Sequence, residues 1–283
     1  MAALSDSLVG DFIARAEKSI VNGKLEGLAR TVSASLPMVF LTVPFFTTFA
    51  NMNNNRNLID EVRTNLGWDG AQPDGRGPNR APGRVSAKKK RILWFTDTLC
   101  DLNGVATSLL EIAQLATRFD TPIMLATALD NGTDPVSLPA NVMALPLVTS
   151  LPIPEYENMS LRIPSLLHSL KMAQEFDPDE IYISSPAIIG LVGLLIAKLM
   201  KVKAIGVYHT DFTLQAAKVI DDTTVTHYLD EYMRWFYGAC DTVLSNTPGY
   251  IEILKGRGYN VSKMRIFQRG IDTEVFKPVH EAA

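Results

Sequence analysis

RILWFTDTLCDLNGVATSLLEIAQLATRF, residues 91–119, decides the fold. An apolar run rich in branched residues (91–97) gives way to a short polar loop. Asn103–Gly104 makes a turn, and apolar residues then recur at helical spacing from Val105 to Phe119. That is a strand, a turn and a helix. The same alternation continues downstream, with strands expected at PIMLATAL (122–129), NVMALPL (141–147), EIYISS (180–185), KAIGVYHT (203–210), DTVLSNT (241–247) and MRIFQRG (264–270). Helices are expected at Leu161–Phe176, Ala187–Met200, Thr224–Gly238 and Gly249–Arg257. Near-continuous apolar strands between helices belong in a parallel sheet covered on both faces, with right-handed crossovers. The expected fold is a doubly wound α/β domain over residues 91–283. Its ligand crevice lies beyond the carboxyl ends of the strands, so chemistry is sought there.

Outward from this core, residues 1–67 read as a small, mostly helical N-terminal module of unassigned role. Leu4, Leu8, Phe12, Ala16 and Ile20 keep helical spacing, MVFLTV (38–43) has strand composition, and RNLIDEVRTNL (56–66) suits a second helix. Residues 68–90, rich in Gly, Pro and Arg, lack the apolar content to offset ordering and read as a flexible linker. The basic run Lys88–Arg91 reads as its solvated end. The apolar stretch Leu36–Ala50 is interrupted by Pro44 and falls short of the roughly 20 residues of a membrane span.

A net charge of −3 argues against a nucleic-acid binder built on a broad basic face. The two cysteines, Cys100 and Cys240, have no metal-ligand spacing and make no disulfide framework. A reducing, cytoplasmic setting fits them. Tyr228, Tyr232, Trp235, Phe236 and Tyr237 crowd one helical segment. Such a stripe is more often core than platform, with peripheral contact at the inner face of a membrane as the lesser alternative.

Four strand ends carry candidates. Asn103 and Gly104 open a helix whose amides can face an anion, although a plain turn is the commoner use. Neither GxGxxG nor GxxxxGK[ST] occurs at that turn. In SSPAIIG (184–190), Ser185 and Pro186 suit a helix start, and Gly190 with Gly193 suits close packing on the sheet. In YHTDF (208–212), His209 can donate to a ligand hydroxyl, act as acid or base, or simply satisfy a backbone carbonyl. No third ligand accompanies it, so no metal is expected. In QRGID (268–272), Arg269 can meet a phosphate or an acidic side chain.

The ordered set TDTLCDLNGV, SSPAIIG, YHTDF, YMRWFYGACDTVLSNTPGYIEILKGRGY and RGIDTEVFKP resembles the N-terminal domain of glycosyltransferase family 4, from about Arg91 to Pro278. Its flavour is that of lipid mannosyltransferases and sulfoquinovosyltransferase-like enzymes. The resemblance implies a retaining GT-B enzyme of two Rossmann-like domains, the N-terminal one receiving the acceptor and the C-terminal one holding a nucleotide sugar. It implies that Asn103, Gly104 and Val105 lie near the donor phosphates and His209 near the transferred sugar. Asp211 falls in the same motif, and Arg269 to Asp272 lead toward the interdomain segment. Front-face transfer without an essential metal or resident cofactor is implied as well. The acceptor, lipid or glycan, stays open.

Two departures stand out. The loop after Asp97 is about one residue shorter than the family pattern and lacks its proline. The sequence ends at Ala283, where the donor-binding half is expected to begin, so weak transfer by this chain alone is expected. A competing reading is a non-catalytic half-transferase that pairs with a separate donor-binding domain. A receiver-like domain built on Asp97 lacks the acidic cluster such a site needs.

Overall fold

The computed structural model describes residues 2–21, 46–51, 53, 89–99, 101, 103–129, 138–153, 156–219, 223–267 and 270. The expected strand at 38–43, the helix at 56–66, the linker up to residue 88, Cys100, Arg269 and Asp272 lie outside them. Of the apolar stretch Leu36–Ala50, residues 46–50 are helical.

The elements in order are α1 (Ala2–Val21), β1 (Ile92–Phe95), α2 (Gly104–Arg118), β2 (Ile123–Ala128), β3 (Val142–Leu145), β4 (Leu147–Ile153), β5 (Tyr156–Pro164), α3 (Leu166–Phe176), β6 (Glu180–Ile183) and α4 (Ile188–Met200). There follow β7 (Lys203–Tyr208), α5 (Phe212–Val219), α6 (Thr223–Ala239), β8 (Thr242–Ser245), α7 (Pro248–Gly256), a short 3-10 turn (Val261–Lys263) and β9 (Met264–Ile266). The main sheet has seven strands in the order β3-β2-β1-β6-β7-β8-β9, and β4 with β5 forms a separate pair. The expected doubly wound α/β architecture is present. The chain divides into two compact units, Met1–Ala204 and Ile205–Ala283.

In the first unit, β1 runs parallel to β2 (Phe95 opposite Ala126) and to β6 (Phe95 opposite Ile183). Leu93, Phe95, Leu125, Ile181 and Ile183 are fully buried, which is why these strands read as unbroken apolar runs. Helix α2 buries Ala106, Leu109, Ala113 and Ala116, one face at helical spacing. Its last turn is capped by a cation: Lys89 Nζ donates to the carbonyls of Phe119 and Asp120 at 2.9 and 2.6 Å. Lys90 pairs with Glu180 at 2.5 Å, and the Arg91 guanidinium donates to the Phe176 carbonyl. Residues 89–91 of the basic run thus make contacts with the sheet and its helices, Lys89 and Lys90 while remaining exposed to solvent.

The antiparallel β4–β5 pair was not expected, and it corrects the helix assigned from Leu161. Residues up to Pro164 are strand, and α3 starts only after Ser165, whose hydroxyl accepts the His168 amide at 3.4 Å. Ser165 also donates to Asp6 Oδ1 at 2.7 Å, and Asp6 Oδ2 lies 3.3 Å from His168 Nδ1. Gly10 of α1 faces Val148 of β4. Helix α1 thus packs within this unit.

In the second unit, β7, β8 and β9 are parallel, with Tyr208 opposite Ser245 and Val243 opposite Met264. Gly206 gives α6 room to approach: a methyl group there would lie 3.0 Å from Cys240 Sγ and 3.1 Å from the Tyr237 ring. The aromatic run on α6 splits by helical phase. Phe236 and Tyr237 are buried, whereas Tyr228 and Trp235 are exposed. Among the described residues no helix is long and apolar enough to cross a membrane, and no cluster of His, Cys, Asp or Glu has a metal-binding arrangement.

Candidate functional site

The strand order reverses between β1 and β6, both in the first unit. In doubly wound sheets the ligand crevice opens beyond the carboxyl ends of the strands at such a point. Here two strand-end residues meet across it. Ser185 Oγ–H donates to Asp97 Oδ2 at 2.5 Å, and the Asp97 amide returns a bond to Ser185 Oγ at 3.0 Å. The same carboxylate accepts the Ile189 amide at 2.9 Å and the Gly190 amide at 3.2 Å. Ser185 does not cap α4: the N-cap position is Ala187, which has no side-chain bond to give. Asp97 supplies that cap from another strand, and the helix dipole favours its negative charge.

Burial lifts the Asp97 pKa to about 6, while the Ser185 hydroxyl, the Ile189 and Gly190 amides and the Arg162 charge pull it down. The folded value thus lies above the ordinary 3.9 or so of an aspartate. The native state keeps a proton that the unfolded chain has already released. Stability from this group is complete below the ordinary value and is lost as pH rises toward 6. Relative to Asp97→Asn, the wild-type unfolding free energy is expected to fall by about 2 kcal/mol between pH 4 and 7, part of the side chain still reaching solvent. Urea unfolding at a series of pH values checks this; a difference that stays flat with pH contradicts it.

From Asp97 the loop runs to the glycine turn. Asn103 caps α2, its carboxamide oxygen accepting the Val105 amide at 3.0 Å and the Ala106 amide at 2.9 Å. The amides expected to face an anion are thus turned onto the Asn103 side chain. Asn103 and Gly104 are exposed and Val105 is half-buried. A methyl group on Gly104 would meet no atom within 4 Å, so packing in the chain does not demand a glycine at this helix start.

In the second unit, His209 follows β7 and is half-buried, its amide donating to the Val207 carbonyl at 3.2 Å. Asp211 points the other way chemically. Its Oδ1 accepts the Leu214 amide at 3.0 Å, capping α5, and its Oδ2 takes Arg257 Nη1 at 2.6 Å. Arg257 also binds Asp230, to which the Tyr259 hydroxyl donates at 3.3 Å. The Asp211 carboxylate is therefore committed to holding helices.

Sequence reading missed Asp97 as a cap, Arg162, and the Asp230–Arg257 pair. Each acts between elements distant in the chain, where spacing gives no signal.

A parallel α/β sheet whose strand order reverses between β1 and β6 defines a Rossmann-like domain. The chain belongs to glycosyltransferase family 4: that family's model, described as Glycosyltransferase Family 4, matches residues 102–275. A GDP-mannose-dependent alpha-mannosyltransferase of Mycobacterium tuberculosis is 25% identical over 182 residues, which cover 64% of this chain and 47% of that protein. A sulfoquinovosyl transferase of Arabidopsis thaliana is 25% identical over 130 residues, 46% of this chain and 25% of that one. In structure, a sucrose-phosphate synthase from Thermosynechococcus elongatus superposes with a TM-score of 0.50 at 10% identity, covering 68% of this chain and 51% of that one. The chain thus spans about half, or less, of the length of the relatives it matches.

Proposed function

We propose that this chain provides the acceptor-side half of a retaining glycosyltransferase, which moves a sugar from a nucleotide-sugar donor to an acceptor hydroxyl of a lipid or glycan. The carrying observation is that the family match at 102–275 covers the strand ends where the candidates lie. It is supported by an exposed helix-opening glycine that internal packing does not require. In this reading the donor is held by a second domain, and the Asn103, Gly104 and Val105 turn lies beside its phosphates. His209 hydrogen-bonds the transferred sugar, and Arg269 and Asp272 lead into the segment between domains. The bond from the anomeric carbon to the phosphate oxygen breaks on the face where the acceptor oxygen adds. The departing phosphate takes the acceptor proton, so positioning and charge stabilisation carry the rate, with no metal required. A cytoplasmic setting, with peripheral contact at the inner membrane face for a lipid acceptor, completes the proposal.

The test is transfer from radiolabelled GDP-mannose by this chain alone and after adding the C-terminal domain of the mycobacterial relative. Transfer only with both, giving a product of retained configuration by NMR, is expected. Replacing His209 with alanine is expected to lower it about a hundredfold or more. Efficient turnover by the chain alone would overturn the proposal. Binding of the added domain without transfer in any combination favours a non-catalytic half instead.

A further inference from the structure

We infer that Arg162 is a positioning residue that holds the Asn103–Gly104 turn in place. It sits on β5, in the strand pair outside the main sheet, yet its guanidinium reaches the end of β1. Nη1 donates to the Asp97 carbonyl at 3.0 Å, and Nη2 pairs with Asp101 Oδ1 at 3.5 Å. The side chain is only 8% exposed, so this charge is held well out of water. Those two contacts grip the loop at both shoulders. Asp97 fixes one shoulder to Ser185 and α4. On the other, Asp101 donates its amide to the Thr98 carbonyl at 3.1 Å, and Asn103 donates to the Asp101 carbonyl at 2.9 Å. An unbroken series of bonds therefore runs from Arg162 to the cap that orients the first turn of α2.

The chemistry explains why an arginine stands here. A planar fork with several donors can serve a carbonyl and a carboxylate together, which the single ammonium of a lysine does with poorer geometry. An apolar residue would suit a buried strand position better on desolvation grounds alone. The described residues between β1 and α2 belong to no helix or strand, and a loop free to wander by an ångström orients nothing. Through its bonds to Asp97 and Asp101, Arg162 acts on Asn103 and Gly104 by way of the loop.

The inference rests on the proposal that this turn flanks the donor phosphates, and amide exchange resolved by NMR separates the two ideas. In the ligand-free chain, Arg162→Lys and, independently, Asp101→Asn are expected to speed exchange at Asn103, Val105 and Ala106 about tenfold, with β1, β2 and β6 amides unchanged. In wild type with the C-terminal domain of the mycobacterial relative added, millimolar GDP-mannose is expected to protect those same turn amides, and Arg162→Lys to require several times more of it. If neither variant speeds exchange at the turn, or if the sheet loosens equally, Arg162 is not a positioning residue. If the variants loosen the turn but GDP-mannose protects it in no form of the chain, the clamp stands and the donor-side reading of the turn falls.

Discussion

Replacing Gly190 with alanine is expected to destabilise the first unit by about 4 kcal/mol, near the top of the usual range for one substitution. The added methyl would sit 1.7 Å from the Ser185 carbonyl oxygen, 2.9 Å from its carbon and 3.0 Å from Ile183 Cγ2. Two of those three atoms are backbone and have no rotamer to escape into. Relief requires the start of α4 to lift off the Ser185 turn. That movement also pulls the Ile189 and Gly190 amides away from Asp97, leaving a half-buried carboxylate short of its donors. Gly193→Ala is a graded comparison. Its methyl would meet the Phe95 ring at 2.7 Å, a side chain that can shift, so about 2 kcal/mol is expected. Gly104→Ala, with nothing in reach, is expected to be neutral or stabilising by up to about 1 kcal/mol. Urea midpoints of the three variants give the order. A Gly190→Ala protein within about 1 kcal/mol of wild type would show that α4 is not held this close.

The core of the fold was legible because its strands obey one simple rule. Residues such as Leu93, Phe95, Ile181 and Ile183 are buried, and burial on both faces writes an unbroken apolar run into the sequence. The β4–β5 pair escaped because it lies outside the main sheet and follows no such rule. Arg162 and Pro164 interrupt the apolar pattern of β5, and LRIPSLLHSL then merges by spacing with the helix that follows. Helix α5 was missed for a related reason: with eight residues, it is shorter than a periodicity window can detect.

The candidate site was legible in part. Strand ends can be found by counting, so His209, Asp211 and the Asn103–Gly104 turn could be named. Which way each polar group is used could not. Ser185 looked like a cap and instead serves Asp97, which caps α4 from a different strand. Asp211, in the same motif as His209, is taken by Leu214 and Arg257, the latter 46 residues away. Hydrogen-bond satisfaction is a property of the packed chain, and residue spacing carries little trace of it.

Arg257 is expected to be the most sensitive charged residue of the second unit, with Arg257→Met destabilising it by about 3 kcal/mol. The guanidinium binds Asp211 through Nη1 and Asp230 through Nη2, and its carbon lies 5.6 Å from the centre of the Tyr259 ring. Burial works against its charge, but the hydrogen bond to Asp230 and the charges of Asp211 and Asp230 outweigh this and raise its pKa above the ordinary arginine value. The side chain of Asp211 is 7% exposed and that of Asp230 is 19% exposed, so removing the cation strands two poorly hydrated carboxylates together. Repulsion between them adds to the lost bonds. The three residues join the start of α5, the middle of α6 and the end of α7, and the loss should spread across all of them. Adding Asp211→Asn and Asp230→Asn to Arg257→Met is expected to recover about half of the deficit, because the stranded charges are then gone. A triple variant less stable than the single one would mean that the bonds, not the unpaired charges, dominate. The consequence for function is indirect but measurable. His209 lies two residues before Asp211, on the segment that Arg257 anchors. In the proposed transfer reaction, assayed with the C-terminal domain added, Arg257→Met should therefore lower turnover at temperatures where the protein is still folded by circular dichroism, and the triple variant should regain part of it.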